Sequence, residues 1–264
     1  MVQLSHILFF DIETVPLVPF YDDLKEGLQV EWERKARNLK KGPADENATI
    51  AQLFEQRAGV YSEFSKVVAI GFGAAYCRND QWQFAYKCIA SDDEKALLNR
   101  FCENLSAFNK KINRELVLAG HNIKEFDIPF LARRMLVHGM SLPRCLQMQD
   151  RKPWEVPHID TMELWKFGDY KAYTSLNLLA AVFDIPSPKS DIDGSQVAQV
   201  YYKEKDLSRI ATYCARDVWT TAQVYLRLTG DSETRLLPKA LDNEINFQLD
   251  HAHPSVPDIS AVSS

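Results

Sequence analysis

The chain has 264 residues, 46% of them hydrophobic and 25% charged, which is typical of a soluble globular protein with one large domain or two small ones. No apolar stretch approaches the roughly 20 residues needed to cross a bilayer, and the first residues lack the pattern of a secretory signal. The net charge of −5 argues against a large polyanion-binding surface, but a small nucleic-acid site needs only a few basic side chains.

The cysteines indicate the compartment. They are odd in number and contain no C-x-x-C pair, which argues against both a disulfide framework and a zinc cluster. This usage predicts a reducing environment, and hence a cytoplasmic protein with no membrane contact. The five are Cys77, Cys88, Cys102, Cys145 and Cys214.

The first predicted strand ends in two acids. Ile7 to Phe10 form a continuous apolar run, typical of a strand buried on both faces, and Asp11-Ile12-Glu13 follow directly. Because side chains alternate along a strand, Asp11 and Glu13 should share one side while Ile12 points into the core. Two adjacent carboxylates repel each other, and a bound divalent cation would remove that repulsion.

Residues 20–60 are interpreted as an insertion between the first and second strands. Two helices are expected, at about 21–39 and 48–58, separated by a Gly42-Pro43 breaker. The basic cluster from Arg34 to Lys41 is interpreted as a solvated helix face paired with neighbouring acids. Contact with a phosphate backbone is the alternative.

The remaining elements alternate between strands and helices. Together with the first strand they predict an α/β fold, a mixed five-stranded sheet flanked by helices, in a domain spanning residues 1–230. Residues 231–264 are expected to be a C-terminal extension that is partly disordered. The expected strands are 66–76, 81–89, 116–120 and 159–161, and the expected helices are 91–111, 128–138, 175–183, 194–201 and 207–228, with a loop at 140–157.

Two further polar clusters accompany the acids of the first strand. The segment from Asn122 to Asp127 follows the fourth strand and opens a helix, and Tyr213 and Asp217 lie in the last long helix. Positions four apart share one face of a helix, so these last two side chains should project together. Cys214 and Arg216 are expected to turn elsewhere.

The three clusters, in this order, resemble the DEDD superfamily of 3′–5′ exonucleases within the DnaQ-like group, and Y-x-x-x-D resembles its tyrosine subclass. The segments F-F-D-I-E-T, A-G-H-N-I-K-E-F-D-I-P-F-L and I-A-T-Y-C-A-R-D-V look most like family B DNA polymerase exonuclease domains. Among these, predicted stand-alone exonucleases look most similar. The resemblance runs from about residue 5 to about 228 and implies a ribonuclease H-like fold.

The resemblance implies hydrolysis of single-stranded DNA from its 3′ end, with release of nucleoside 5′-monophosphates. Asp11 would bridge two divalent ions, Glu13 and Asp217 would hold the first, and Asp127 would serve the second through water. Tyr213 would orient the attacking water. Two metal ions can activate that water and stabilise both the phosphoryl oxygens and the leaving oxygen. Oxygen ligands suit Mg²⁺ or Mn²⁺ equally.

Several neighbouring residues have two interpretations. Thr14 and Asn122 could bind the terminal nucleotide, and Phe126 could stack on a base or belong to the core. His121 and Asp160 are interpreted as structural residues at strand ends. Lys171 and Lys189 are candidates for phosphate contacts, and the calcium-loop look of Asp191 and Asp193 is discounted because the distal glutamate is missing.

Two alternatives to a DNA exonuclease remain open at this point. An RNA-trimming exoribonuclease of the same superfamily would carry the same four acids. A non-catalytic nucleic-acid-binding or scaffold domain would usually have lost at least one of them, and all four are present with Tyr213. The sequence does not indicate the oligomeric state or a protein partner.

Overall fold

A mixed sheet runs through the middle of the molecule. The computed structural model describes residues 3–40, 47–112, 116–169, 173–186, 192–231 and 234–247. Within these ranges seven strands belong to the sheet. They are β1 (Ile7–Pro16), β2 (Ser65–Arg78), β3 (Gln81–Ala90), β4 (Val117–Gly120), β5 (Ile159–Asp160), β6 (Leu237–Ala240) and β7 (Glu244–Ile245).

The strand order is β5-β4-β1-β2-β3-β6, with β7 also paired to β3. Strands β1, β2 and β3 are antiparallel neighbours, whereas β4 is parallel to β1 and β5 is parallel to β4. The predicted mixed α/β sheet is confirmed. The predicted number of five strands is wrong, because the C-terminal extension adds β6 and β7 parallel to β3.

Helices cover both faces of the sheet. Leu8, Phe10 and Ile12 of β1 belong to a core formed with α3 and α4, whereas the alternate residues Ile7 and Phe9 pack toward α8. The described helices are α1 (Glu26–Leu39), α2 (Ile50–Arg57), α3 (Glu94–Ile112), α4 (Asp127–Val137), α5 (Thr161–Lys166), α6 (Leu176–Val182), α7 (Val197–Gln199, continued by a π turn at Val200–Glu204) and α8 (Leu207–Leu228). None of them is long and apolar enough to cross a membrane.

Helix α8 lies directly on β2 at Gly71. A Cβ atom at this glycine would lie 2.9 Å from the carbonyl oxygen of Cys214 and 3.0 Å from its Sγ. Real Cβ atoms are hardly ever that close to a backbone oxygen, so only glycine permits the contact. The close approach brings α8 against the strand pair that carries the acids of β1.

The insertion at 20–60 has a small core of its own. Trp32 of α1 is fully buried and makes edge-to-face contacts with Phe54 and Phe64, at centroid distances of 5.4 and 5.1 Å. On the outer face Arg34 pairs with Glu31 at 2.6 Å. Arg37 pairs with Glu33 at 3.5 Å. The interpretation as a solvated, paired face is therefore confirmed for these two arginines, whereas Lys41 lies outside the described residues.

Ion pairs hold the C-terminal extension against the sheet. Glu244 of β7 pairs with the buried Lys87 of β3 at 2.5 Å and with Arg100 of α3 at 3.0 Å. Asn243 accepts a hydrogen bond of 2.8 Å from the backbone N–H of Cys88. Residues 234–247 of the extension predicted to be partly disordered are thus part of the fold, and residues 248–264 lie outside the described ranges.

Candidate active site

The two acids of β1 share one face of the sheet. The closest ligating atoms of Asp11, Glu13 and Cys214 all lie within 4.8 Å of one another. Ile12, between the acids, is 5% exposed in the core on the opposite face. The alternation predicted from the sequence is therefore confirmed, and it turns both carboxylates toward α8.

Asp127 reaches the same place from the start of α4. It is 2% exposed, and its Oδ1 accepts a hydrogen bond of 3.1 Å from the backbone N–H of Ile12. One carboxylate oxygen is thus tied to β1. The pKa of the Asp11 carboxyl is raised first by burial and then by the charges of Asp127 and Asp217.

Tyr213 and Asp217 project together from α8, as the four-residue spacing predicted. The phenol of Tyr213 is buried, and Asp217 is among the groups that raise its pKa. Burial, followed by the charges of Asp217, Glu13 and Asp11, raises the pKa of Tyr213 above its ordinary value of 10.0. The phenol therefore keeps its proton at neutral pH.

Burial raises the pKa values of all four acids. Burial is the largest cause that raises the pKa of each, to about 8 for Asp127 and to about 6 for Asp217, and well above the usual value for Asp11 and Glu13. No basic side chain of the described residues is among the groups that shift these pKa values. Carboxylate oxygens are hard ligands, and a cluster of them with no basic side chain of the described residues beside it fits a divalent metal ion such as Mg²⁺ or Mn²⁺.

The sequence missed one member of this cluster. Cys214 was expected to turn away, but its Sγ lies 3.6 Å from Oδ2 of Asp11 and accepts a hydrogen bond of 3.0 Å from the backbone N–H of Gly71. The expectation that Cys214 turns away from the acids is therefore wrong. The thiol lies there because α8 packs directly onto Gly71, and spacing along α8 alone gives no sign of that contact.

Replacement of Cys214 tests this contact. We expect Cys214→Ala to lower the free energy of unfolding by about 1–3 kcal/mol, because it leaves the buried N–H of Gly71 without its acceptor. Cys214→Ser should cost less, since a hydroxyl can still accept from Gly71 and donate to Asp11. Urea unfolding measures both values. An equal loss for the two variants would contradict a hydrogen-bonding role of the thiol.

The raised pKa values predict how pH and metal ions act on stability. The pKa of Asp127 is about 8 and that of Asp217 about 6 in the folded chain, against 3.8 ordinarily, so the folded state binds more protons than the unfolded state. Stability without metal should fall as pH rises from about 4 to about 8.

Mg²⁺ should offset this loss because it binds the ionised carboxylates of the folded chain. Thermal melts at constant ionic strength are expected to show a larger Mg²⁺-induced rise in Tm at pH 8 than at pH 5.5. The same rise at both pH values would show that these acids do not bind the ion.

The candidate substrate residues surround the cluster. The hydroxyl of Thr14 donates a 2.7 Å hydrogen bond to the carbonyl of Gly59, next to a β-bulge between Glu13 and Thr14. Asn122 has a left-handed backbone (φ 64°), and its side-chain amide makes no hydrogen bond to a described residue. Phe126 is half-buried against the core and contacts Phe130 at a centroid distance of 5.3 Å, which supports the core interpretation.

His121 and Asp160 have the structural roles expected from the sequence. Both ring nitrogens of His121 have partners, the hydroxyl of Thr161 at 2.9 Å and the carbonyl of Thr174 at 2.8 Å. Asp160 accepts hydrogen bonds from the backbone N–H groups of Asn122, Lys124 and Met162 at 2.9–3.1 Å. Asp160 thereby caps α5 and holds the loop that carries Asn122.

The loop around Asp193 behaves as a turn. Its Oδ1 accepts a hydrogen bond of 2.8 Å from the backbone N–H of Ser195, as in an Asx turn. Lys171, Lys189 and Asp191 lie outside the described residues.

Known proteins show which fold this is. The chain resembles the family B DNA polymerase from the hyperthermophilic archaeon Pyrobaculum calidifontis, with a TM-score of 0.51 and 16% sequence identity. The likeness covers 83% of this chain but 24% of the polymerase chain. At this identity it shows the fold alone, and the predicted ribonuclease H-like fold is confirmed.

Sequence comparison shows the family. No curated protein matches the chain. Residues 60–251 match a family model described as a predicted 3′–5′ exonuclease related to the exonuclease domain of PolB. This match covers more than half of the chain and includes Asp127, Tyr213 and Asp217. The chain therefore belongs to the family of predicted 3′–5′ exonucleases related to the PolB exonuclease domain.

Proposed function

We propose that this protein is a metal-dependent 3′–5′ exonuclease that hydrolyses single-stranded DNA from its 3′ end and releases nucleoside 5′-monophosphates. The observation that carries the proposal is the convergence of four carboxylates, with Tyr213, on one face of the sheet. Family membership supports the reaction, and the likeness to a DNA polymerase supports DNA rather than RNA as the substrate.

Two divalent ions, Mg²⁺ or Mn²⁺, would activate a water molecule and stabilise the charge that develops on the phosphoryl and leaving oxygens. Asp11 would contact both ions, because the charges of both Asp127 and Asp217 act on it. Glu13 and Asp217 would hold the first ion. Asp127 would serve the second, with the oxygen that is not tied to Ile12.

Tyr213 would orient the attacking water rather than deprotonate it. Its raised pKa keeps the phenol protonated, so the side chain can act as a hydrogen-bond donor but is a poor general base. Thr14, Asn122 and Phe126 would contact the terminal nucleotide. The side-chain amide of Asn122, which has no hydrogen bond to a described residue, supports its assignment. Phe126 packs against the core, and only the exposed part of its ring would stack on a base.

Tyr213→Phe tests the role of the phenol. We expect kcat to fall by about 10- to 100-fold, which corresponds to the loss of one hydrogen bond with a charged group. Mn²⁺ binding, measured by calorimetry, should stay near the wild-type value because the carboxylates remain. Full activity of Tyr213→Phe would contradict this assignment.

The proposed reaction is tested with 5′-labelled single-stranded DNA and the equivalent RNA, in EDTA, Mg²⁺ or Mn²⁺. We expect a metal-dependent ladder that shortens from the 3′ end, with DNA degraded faster. Faster degradation of RNA would move the assignment to an exoribonuclease. No cleavage of either polymer by the folded protein would favour a non-catalytic nucleic-acid-binding or scaffold domain.

The cellular setting of the proposal is the cytoplasm. It rests on the cysteine usage, and all five thiols lie within the described residues and are unpaired by disulfides. Fractionation of cells that express the full chain tests it.

A further inference from the structure

A cavity of about 700 Å³ lies away from the acidic cluster. Its walls are the C-terminal half of α3, the segment 143–151, and Leu116 and His158, which precede β4 and β5. Asn122 follows the other end of β4. Phe9 pairs with Ala119, so Asp11 lies beyond the C-terminal end of β4, whereas Leu116 precedes its start, and the cavity and the acids are therefore at opposite ends of this strand.

The cavity carries positive charge in a chain that is acidic overall. Among the described residues that line it, Lys110, Arg144 and Arg151 are charged and no acid is present. None of the three forms an ion pair with a described residue. All three side chains are exposed, so their charges lie at the mouth of the cavity.

The walls of the cavity are fixed by hydrogen bonds. Nδ1 of His158 accepts from the backbone N–H of Leu118 at 3.2 Å, so Nε2 carries the proton and donates to the carbonyl of Cys145 at 2.6 Å. This arrangement leaves the ring neutral. The side-chain amide of Gln147 donates to the carbonyl of Leu142 at 2.9 Å, which holds the segment from 142 to 147 in place.

The floor of the cavity is apolar. Leu105 and Leu116 are buried, and Cys102, Cys145 and Met148 add polarizable sulfur, which adapts to flat rings. Burial raises the pKa of both thiols to about 11, so they remain neutral and add no negative charge.

We propose that this cavity binds a mononucleotide. A phosphate monoester carries close to two negative charges at neutral pH and is the group that arginine forks recognise, which suits Arg144, Arg151 and Lys110. The volume is within the range of small-molecule sites. The nucleobase would lie on the sulfur-rich floor of the cavity. The side chain of Asn109 at the rim would offer it a hydrogen-bond donor and an acceptor. The binding does not depend on the nuclease chemistry.

Calorimetric titration with dAMP in EDTA tests this site, because chelation keeps metal ions from the acidic cluster. We expect one dAMP per chain for wild type and for Asp11→Ala. The Kd should rise by roughly tenfold or more in the Lys110→Ser/Arg144→Ser double variant. Lys95→Ser, which removes an exposed charge from the other end of α3, should leave the Kd unchanged.

Three results would overturn the proposal. The first is absence of saturable binding at millimolar dAMP, and the second is an unchanged Kd in the double variant. The third is loss of binding in Asp11→Ala, because that would place the nucleotide at the acids. A titration with inorganic phosphate is expected to give a much higher Kd than dAMP. Equal Kd values for phosphate and dAMP would show that the apolar floor of the cavity contributes nothing to binding. That result would also overturn the assignment. Failure of the nuclease assay leaves this binding experiment unaffected.

Discussion

Asp11→Asn is expected to lower turnover of single-stranded DNA by at least about a thousandfold. Asp11 interacts with the other three acids, since its charge acts on Glu13 and the charges of Asp127 and Asp217 act on it. Loss of a metal-binding carboxylate removes several kcal/mol of transition-state stabilisation, and each 1.36 kcal/mol is tenfold in rate. Degradation of a 5′-labelled oligomer measures the effect.

The same substitution should not weaken the folded state without metal. An amide has nearly the shape of the carboxylate but carries no charge, so it removes part of the repulsion among buried acids. We expect the Tm of Asp11→Asn in EDTA at pH 8 to equal or exceed that of wild type. Asp93→Asn is the matched control, because Asp93 is an exposed acid at the start of α3. Normal turnover by Asp11→Asn would contradict the proposed site.

Glu94→Ala is expected to lower the free energy of unfolding by about 3–5 kcal/mol. Glu94 of α3 accepts hydrogen bonds from Nε and Nη2 of Arg134 at 2.9 and 2.6 Å and from the backbone N–H of Val67 at 2.8 Å. Burial alone would raise the pKa of Glu94, but the hydrogen bonds from Arg134 and His138 outweigh it and lower the pKa. Removal of the acid leaves Arg134 buried without a counter-charge.

Glu103→Ala is the control for this prediction. Glu103 is on the same helix and pairs with Arg100 at 3.2 Å, but it is largely exposed, so its loss should cost about 0–1 kcal/mol. Because Arg134 belongs to α4, which begins at Asp127, Glu94→Ala should also lower nuclease activity at temperatures where the chain remains folded. Equal unfolding energies for the two variants would contradict the structural role of Glu94.

The parts of the fold that follow from the sequence are those with a strong hydrophobic pattern. The apolar run of β1 and the four-residue spacing of Tyr213 and Asp217 in α8 directly indicated which side chains share a face. The bounds of these elements agree with the structure within a few residues. Where the hydrophobic pattern is long and periodic, the burial of one face determines whether the segment forms a strand or a helix.

The elements that the sequence analysis missed are short or held by distant contacts. Helix α5 has six residues and follows a two-residue strand, and its only local sign is Asp160 three residues before Glu163, a helix-start pattern. Strand β6 is exposed and contains Pro238, and β7 is held largely by Glu244. Cys214 reaches the site through packing on Gly71, which no local pattern shows.

The most direct test of the proposed active site is diffraction at the manganese edge from crystals soaked in MnCl₂. We expect anomalous peaks for two ions bound by the carboxylates of Asp11, Glu13, Asp127 and Asp217, and their absence from crystals of Asp11→Asn. Saturating Mn²⁺ with no peak among these acids, or with peaks only elsewhere on the surface, would contradict the account.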